Sequence, residues 1–309
     1  LSEIAYLTGA HRTAVEAAHA ANIKRLRKLI ETGMADGSIR RCDAEIISQA
    51  IFGMVSWVPL AGEYVTGAGP ALRAQAADTL CDLLENGVAS DPSLNFHCPL
   101  DFSAFCFRPG NMFKREDAAA HKVELLLQTA TQLFNQRGID GTSLDDLTAE
   151  LGATKGAFYH HLPEKRALVV RCVQRAFDFY ERFADAAQAI GGNGLQRSFI
   201  GLHLNVQAQA SAQGPLSPLT GVEDLPPRVL RGIRERAARI STRFAQFNQQ
   251  GLADGSLRRF DTRALALAGA GAFGWIPKWL DASRGPEPRV IADEIVDLFA
   301  HGLRRKPHE

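Results

Sequence analysis

Apolar residues recur at three- and four-residue spacing along most of the chain, and alternation of period two is scarce, which predicts an all-α protein. Val123, Leu126, Leu127, Ala130, Leu133 and Phe134 mark one face of a helix that starts near 118 and stops at Gly138. Phe199, His203 and Gln207 share one face of another.

The pattern also repeats. Residues 35–43 read ADGSIRRCD and residues 253–261 read ADGSLRRFD, seven of nine matching at an offset of 218. The same offset pairs Gly33 with Gly251, Gly53 with Gly271, Trp57 with Trp275 and Pro59 with Pro277. At an offset of 215, Ala77, Asp78, Asp82, Leu83 and Gly87 pair with Ala292, Asp293, Asp297, Leu298 and Gly302. Each repeat reads as three helices, about 12–35, 43–64 and 70–89 in the first and 227–253, 261–280 and 288–303 in the second. The second repeat is preceded by about a hundred residues, from 116, with no counterpart in the first. The chain opens on Leu1, which pairs with Leu219, so the expectation is a first unit whose front is missing. Small residues at Ala264, Ala268, Gly271 and Ala272 predict close pairing through the last two helices of each repeat, within one chain or between two.

Residues 90–117 contain Pro92, Pro99 and Pro109-Gly110, so they do not read as helix. They also contain Phe96, Phe102, Phe105, Phe107 and Phe113, too many aromatics for a free tether, and an extended arm packed on a surface is expected. The division is then 1–89 for a partial helical domain, 90–117 for an aromatic linker, 118–165 for the domain described next and 166–309 for a second helical domain.

Composition narrows the function. With 46% hydrophobic and 22% charged residues, 309 residues suit about two ordinary globular domains. A net charge of +1 means that any polyanion surface must be local. Five cysteines without a CxxC pair point away from a disulfide framework or a zinc cluster and toward the cytoplasm, with no metal and no cofactor. The most apolar run, 264–280, is short for a membrane span and includes Pro277 and Lys278, so it reads as a buried helix. No nucleophile elbow, P-loop, HExxH or dinucleotide glycine motif accompanies the histidines, so no enzyme is expected.

The informative stretch is 118–170. Thr142 or Ser143 caps a helix that begins Leu144-Asp145-Asp146-Leu147, and the two aspartates complement its positive end. Leu151-Gly152-Ala153 is a tight turn, and Thr154 then starts a second short helix ending near His160, a helix-turn-helix pattern. Thr154 and Lys155 stand at the amino end of that second helix, where side chains and free N–H groups meet phosphates or base edges. Gly156 allows close approach, and Tyr159 and His160 offer polar tips beside it. Lys165 begins the following helix, where a second phosphate contact is natural. Within 114–166, seven Lys/Arg stand against eight Asp/Glu, so the basic groups are gathered rather than abundant.

The segment GTSLDDLTAELGATKGAFYHHLPEKRALV closely resembles the DNA-binding domain of the TetR/AcrR family of bacterial regulators, matching its pattern at Thr142, Leu147, Gly152, Gly156, Tyr159, His161, Lys165 and Leu168. It departs at Leu162 and Thr148, where Phe and Ala are usual. The resemblance implies a tandem, two-unit member with a truncated first unit. It implies a regulator, a repressor released from an operator in double-stranded DNA by a small organic effector. The DNA contacts then fall to Thr142, Thr154, Lys155, Gly156, Tyr159, His160 and Lys165. An effector site falls among Phe177, Tyr180, Phe199, His203, Gln207, Phe244 and Trp275, aromatics with a few polar groups. The GWIPKW segment at 274–279 is similar to segments in members that respond to lipid-like or acyl-CoA ligands. The rival reading is a ligand-sensing or dimerising helical module with a degenerate DNA-binding domain.

Overall fold

The structure, a computed structural model, describes residues 9–57, 70–152, 164–217, 222, 225–282 and 284–305, of 70–76 the backbone alone. Among these residues it contains eleven α-helices, one 3-10 turn and two isolated β-bridges. The first repeat supplies α1 (Gly9–Asp36), α2 (Ala44–Trp57) and α3 (Pro70–Asn86). A non-helical strap with a 3-10 turn at Phe102–Phe105 leads to α4 (Arg115–Arg137) and α5 (Leu144–Glu150). Then come α6 (Lys165–Ile190), α7 (Gly194–Ala210), α8 (Pro227–Asp254), α9 (Thr262–Gly274), α10 (Ile276–Trp279) and α11 (Pro288–His301).

One expected helix is broken. The run 261–280 divides at Trp275 because Pro277 has no N–H to donate and sits in the first turn of the short α10 instead. Both closing helices stop before their expected ends, at Asn86 and His301, where Gly87 and Gly302 take φ of 65° and 68°. The part of the second expected helix beyond Trp57 lies outside the described residues.

The two repeats pack against each other with reciprocal contacts. Helix α2 packs along α9, and α11 crosses α2 and α3. The Arg40 N–H donates to Leu303 O at 2.9 Å, and the Arg258 N–H, its counterpart, donates to Val88 O at 3.0 Å. The Arg40 side chain donates to Gly302 O and pairs with Asp297; the Arg258 side chain donates to Gly87 O and pairs with Asp82. The bridge between Ile39 and Arg304 is matched by the one between Ala89 and Leu257. These contacts give the interface within one chain the two-fold logic of a symmetric dimer. A single apolar core spans it, with Ile46, Ile47 and Met54 on one side and Ala268, Ala272 and Ile276 on the other.

A second core joins α4 and α5 to the first half of α6 and to α8, through Leu127, Phe134, Leu147, Leu168, Val173 and Ile240. The third is made by the strap. Phe102 packs on Phe179 and Phe105 on Phe183 of α6, while Phe96 meets Phe199 of α7. The strap's backbone is tied down as well: Gln207 Oε1 accepts the Phe102 N–H at 3.0 Å, Gln207 Nε2 donates to Leu100 O at 3.1 Å, and Arg182 donates to Phe105 O at 2.6 Å. From there Phe107 stacks on His121, so the strap runs directly into α4.

Candidate nucleic-acid interface and effector region

Ser143, not Thr142, caps α5. Its Oγ accepts the Asp146 N–H at 3.0 Å, and the Asp146 carboxylate accepts the Ser143 N–H at 2.7 Å, a reciprocal capping box. Hydrogen bonds from the Ser143 side chain and backbone hold the Asp146 carboxyl below the usual carboxylate range. Thr142 is fully buried, and its hydroxyl donates to Gly138 O at 2.9 Å. The expectation that Thr142 touches DNA therefore meets a side chain that closes the turn between α4 and α5 and is shut away from solvent. Lys165 is half-buried at the first position of α6, whose N-cap Glu164 makes no side-chain capping bond. The remaining expected DNA contacts, Thr154, Lys155, Gly156, Tyr159 and His160, lie outside the described residues.

Helices α4 and α5 with the start of α6, the head of the molecule, are fastened to the remaining helices, its body, by polar groups that the sequence pattern does not reveal. Arg175 on α6 is buried and pairs with Glu124 of α4 at 2.7 Å; it also donates to Gln213 O and Gly214 O at 2.8 and 2.9 Å. The same turn receives Gln132 Nε2 on Ala212 O at 2.7 Å and Asn135 Nδ2 on Pro215 O at 3.0 Å. The one signal was a charged residue inside the apolar stripe of α6, between Cys172 and Phe179. Cys172 itself is a buried thiol, pushed up to about 12 by desolvation, so it stays protonated and unreactive.

The seven expected effector residues fall into three groups. Phe177, Tyr180 and Phe244 lie in or against the core between α6 and α8, with Tyr180 OH donating to Leu216 O at 3.3 Å. Phe199, His203 and Gln207 lie on α7 under the strap. Trp275 faces the first repeat: its ring packs against Phe52 and its Nε1 donates to Gln49 Oε1 at 3.1 Å. A cavity of about 200 Å³ opens between α4, the end of α7 and α10, lined by Gln132, Asn135, Gln209 and Pro277 among others, and none of the seven lines it.

His203 has a defined tautomer. The Phe102 N–H fixes the oxygen of the Gln207 amide, so its nitrogen faces His203 Nδ1 at 2.9 Å and that ring nitrogen must accept. Nε2 then carries the proton and donates to Asp293 at 2.8 Å.

The comparisons fit this architecture. A family model described as bacterial regulatory proteins of the tetR family matches residues 126–172, which hold α5, the second half of α4 and the start of α6. Another, of tetracyclin repressor-like C-terminal domains, matches residues 1–88 and 197–303. The chain belongs to the TetR family. Among curated relatives, the chain is 37% identical over 57 residues, 18% of its length, to the uncharacterised HTH-type regulator YuxN of Bacillus subtilis. It is 32% identical over 54 residues to IcaR of Staphylococcus aureus strain Newman, a negative regulator of the biofilm operon. The chain spans only 20% and 29% of those two proteins' lengths. Among solved structures, the ketosteroid regulator KstR2 of Mycobacterium tuberculosis aligns with a TM-score of 0.52 at 16% identity, over 60% of this chain and 96% of that one, and so shares the fold. Among the described residues, no helix is long and apolar enough to cross a membrane.

Proposed function

We propose that the chain is a DNA-binding transcriptional regulator, a tandem TetR-family protein acting as a repressor that a small organic effector releases from its operator. The observation that carries this is the placement of the head. The capped α5 and the start of α6 share one core, and α6 continues unbroken for 26 residues to the aromatic layer around Phe177 and Tyr180. A displacement of α6 by a ligand at Phe177, Tyr180 and Phe244 is therefore delivered to the head as a rigid-body movement. Lys155, Tyr159 and Lys165 would take phosphates, with Thr154, Gly156 and His160 at the groove. A few kcal/mol of differential affinity between two positions of α6 suffices for a switch.

Fluorescence anisotropy of the full chain against DNA from its own upstream region, across a salt series, tests the reading. Salt-dependent binding that Lys155→Glu abolishes is expected. Binding that survives Lys155→Glu and Lys165→Glu together, or no binding at low salt, overturns it.

A further inference from the structure

The cavity of about 200 Å³ lies on the seam between head and body. On one side is α4, through Gln132 and Asn135; on the other are the turn after α7, through Ala212 and Pro215, and the α10 segment, through Pro277 and Leu280. Its walls are fixed by hydrogen bonds. Gln132 Nε2 donates to Ala212 O at 2.7 Å, and Asn135 donates to Pro215 O at 3.0 Å while its oxygen accepts the Ser217 N–H at 2.7 Å. Arg175 holds the carbonyls of Gln213 and Gly214 in the same turn, and Ser217 Oγ donates to Gly274 O at 2.7 Å, just ahead of α10. The site is therefore preformed, as small-molecule sites are in general.

Gln209 gives the cavity a direction. It lines the cavity and is 5% exposed. Tyr180 OH donates its one proton to Leu216 O, so toward Gln209 it can only accept, and the end of the Gln209 amide that faces it at 3.3 Å must be the nitrogen. The amide oxygen is turned to the other side, where it is buried and has no hydrogen-bond partner among the described residues. Buried polar atoms are nearly always bonded, and what answers this one must be a donor. Asp281, which is exposed, is the one charged residue of the lining among the described residues, so the site favours a cation over an anion. Pro215, Pro277 and Leu280 supply apolar wall for the rest of an occupant. An apolar cavity of about 150 Å³ holds benzene, so this one admits a single ring with a short polar arm.

We propose that the seam cavity binds a small one-ring organic amine, its ammonium group donating to Gln209 Oε1 in the field of Asp281 and its ring against Pro215, Pro277 and Leu280. The site is separate from the aromatic layer of α6 and α8 and is joined to it by the hydrogen bond from Gln209 to Tyr180. A bound amine bridges head and body. Its effect on DNA rests on the proposed function, whereas its binding does not.

The test titrates para-fluorobenzylamine into the full chain and follows the fluorine NMR line width. The comparison probes are para-fluorotoluene, which has no donor, and para-fluorobenzoate, an anion of similar size. Saturable binding of the amine at millimolar concentration or below is expected, with neither comparison probe bound. Gln209→Met keeps the side chain's length and removes its oxygen, and should weaken the amine at least about tenfold, the loss of one charge-assisted hydrogen bond. Ala212→Phe fills the cavity from an exposed position and should weaken it as much. Met adapts to irregular buried sites, and Ala212 is exposed, so both variants should fold, which a thermal melt checks. No binding of the amine means that the cavity takes water only. Binding unchanged in both variants places the amine elsewhere, and equal binding of para-fluorotoluene removes Gln209 Oε1 as the recognising atom. Each of these three results overturns the proposal. The readout contains no DNA, so it is unmoved by a failure of the regulator reading.

Discussion

Gly53 and Gly271 occupy each other's missing side chains. A Cβ at Gly53 would stand 2.5 Å from Gly271 O, and one at Gly271 would stand 2.8 Å from Gly53 O. The residues are counterparts in the repeat, so each repeat supplies both the gap and the carbonyl that fills it. Here α2 and α9 approach backbone to backbone.

Gly271→Val should therefore separate the repeats rather than merely crowd them, because the obstruction is main chain and cannot rotate away. We expect a cost of about 1–3 kcal/mol, read as a lower midpoint in chemical unfolding. Gly232→Val, where a Cβ meets nothing within 4 Å, should be neutral or gain a few tenths of a kcal/mol, because helix propensity favours Val over Gly. Equal effects at the two positions would contradict the close-approach account.

Arg175 is the second sensitive point. Replacing it by Ala leaves Glu124 facing a partly buried site and strips the carbonyls of Gln213 and Gly214 of their donors. Breaking a buried pair from one side costs about 3–5 kcal/mol, with the larger share from the stranded group. Glu124→Gln in the Arg175→Ala background should recover part of the loss, since it removes the stranded charge. A double variant no better than the single one would locate the cost elsewhere.

The head's local fold depends on its cap. Ser143→Ala removes the acceptor for the Asp146 N–H and should destabilise α5 by about 1 kcal/mol. Thr142→Val tests a different bond, the buried hydroxyl on Gly138 O. Hydrogen exchange of α4 and α5 amides should rise in both. Protection unchanged in Ser143→Ala would mean that the capping box is not what orders α5.

Much of this was legible in the residues. The ADGS turns and the cap before Asp145-Asp146 carry their structural meaning in short sequence, because each depends on neighbours within a few positions. The strap's aromatics likewise announce that it packs. What packs against it was not legible. Gln207 and His203 read as ligand-facing because a polar group among aromatics has the same pattern whether its partner is a small molecule or main chain. Gln207 in fact holds the backbone of Leu100 and Phe102, more than a hundred residues away in sequence. The partners of Trp275 were not legible for the same reason: its aromatic body suits a pocket, and Phe52 and Gln49 come from the other repeat.

His203 makes the strap sensitive to pH. Burial is the largest influence and lowers its pKa, opposed by Asp293 and reinforced by Arg289 and His97; Asp101 also lies nearby. The folded value therefore lies below the unfolded value of about 6.5. Between the two, the unfolded chain binds the extra proton, so stability is complete above about pH 6.5 and falls as pH drops toward the folded value. Protonating Nδ1 also sets two donors face to face with Gln207, loosening its hold on Phe102. Limited proteolysis within 98–110 should accelerate below pH 6.5, and His203→Gln should flatten that dependence. Cleavage that accelerates equally in His203→Gln would assign it to another group.

If the proposed function holds, the pairing of the repeats bears on the stoichiometry on DNA. The helices α9 and α11 pack against α2 and α3 of the same chain. Only one segment of the sequence matches the family's head, residues 126–172. On the proposed function these 309 residues bring one such segment, whereas a palindrome of half-sites is read by two recognition helices about 34–36 Å apart. We expect binding of one chain per half-site, with the same affinity on a single half-site as on two, and no dependence on the spacing between them. Light scattering of the complex on one- and two-half-site duplexes gives the count directly. Binding that demands both half-sites at one helical turn would require a second interface outside α9 and α11.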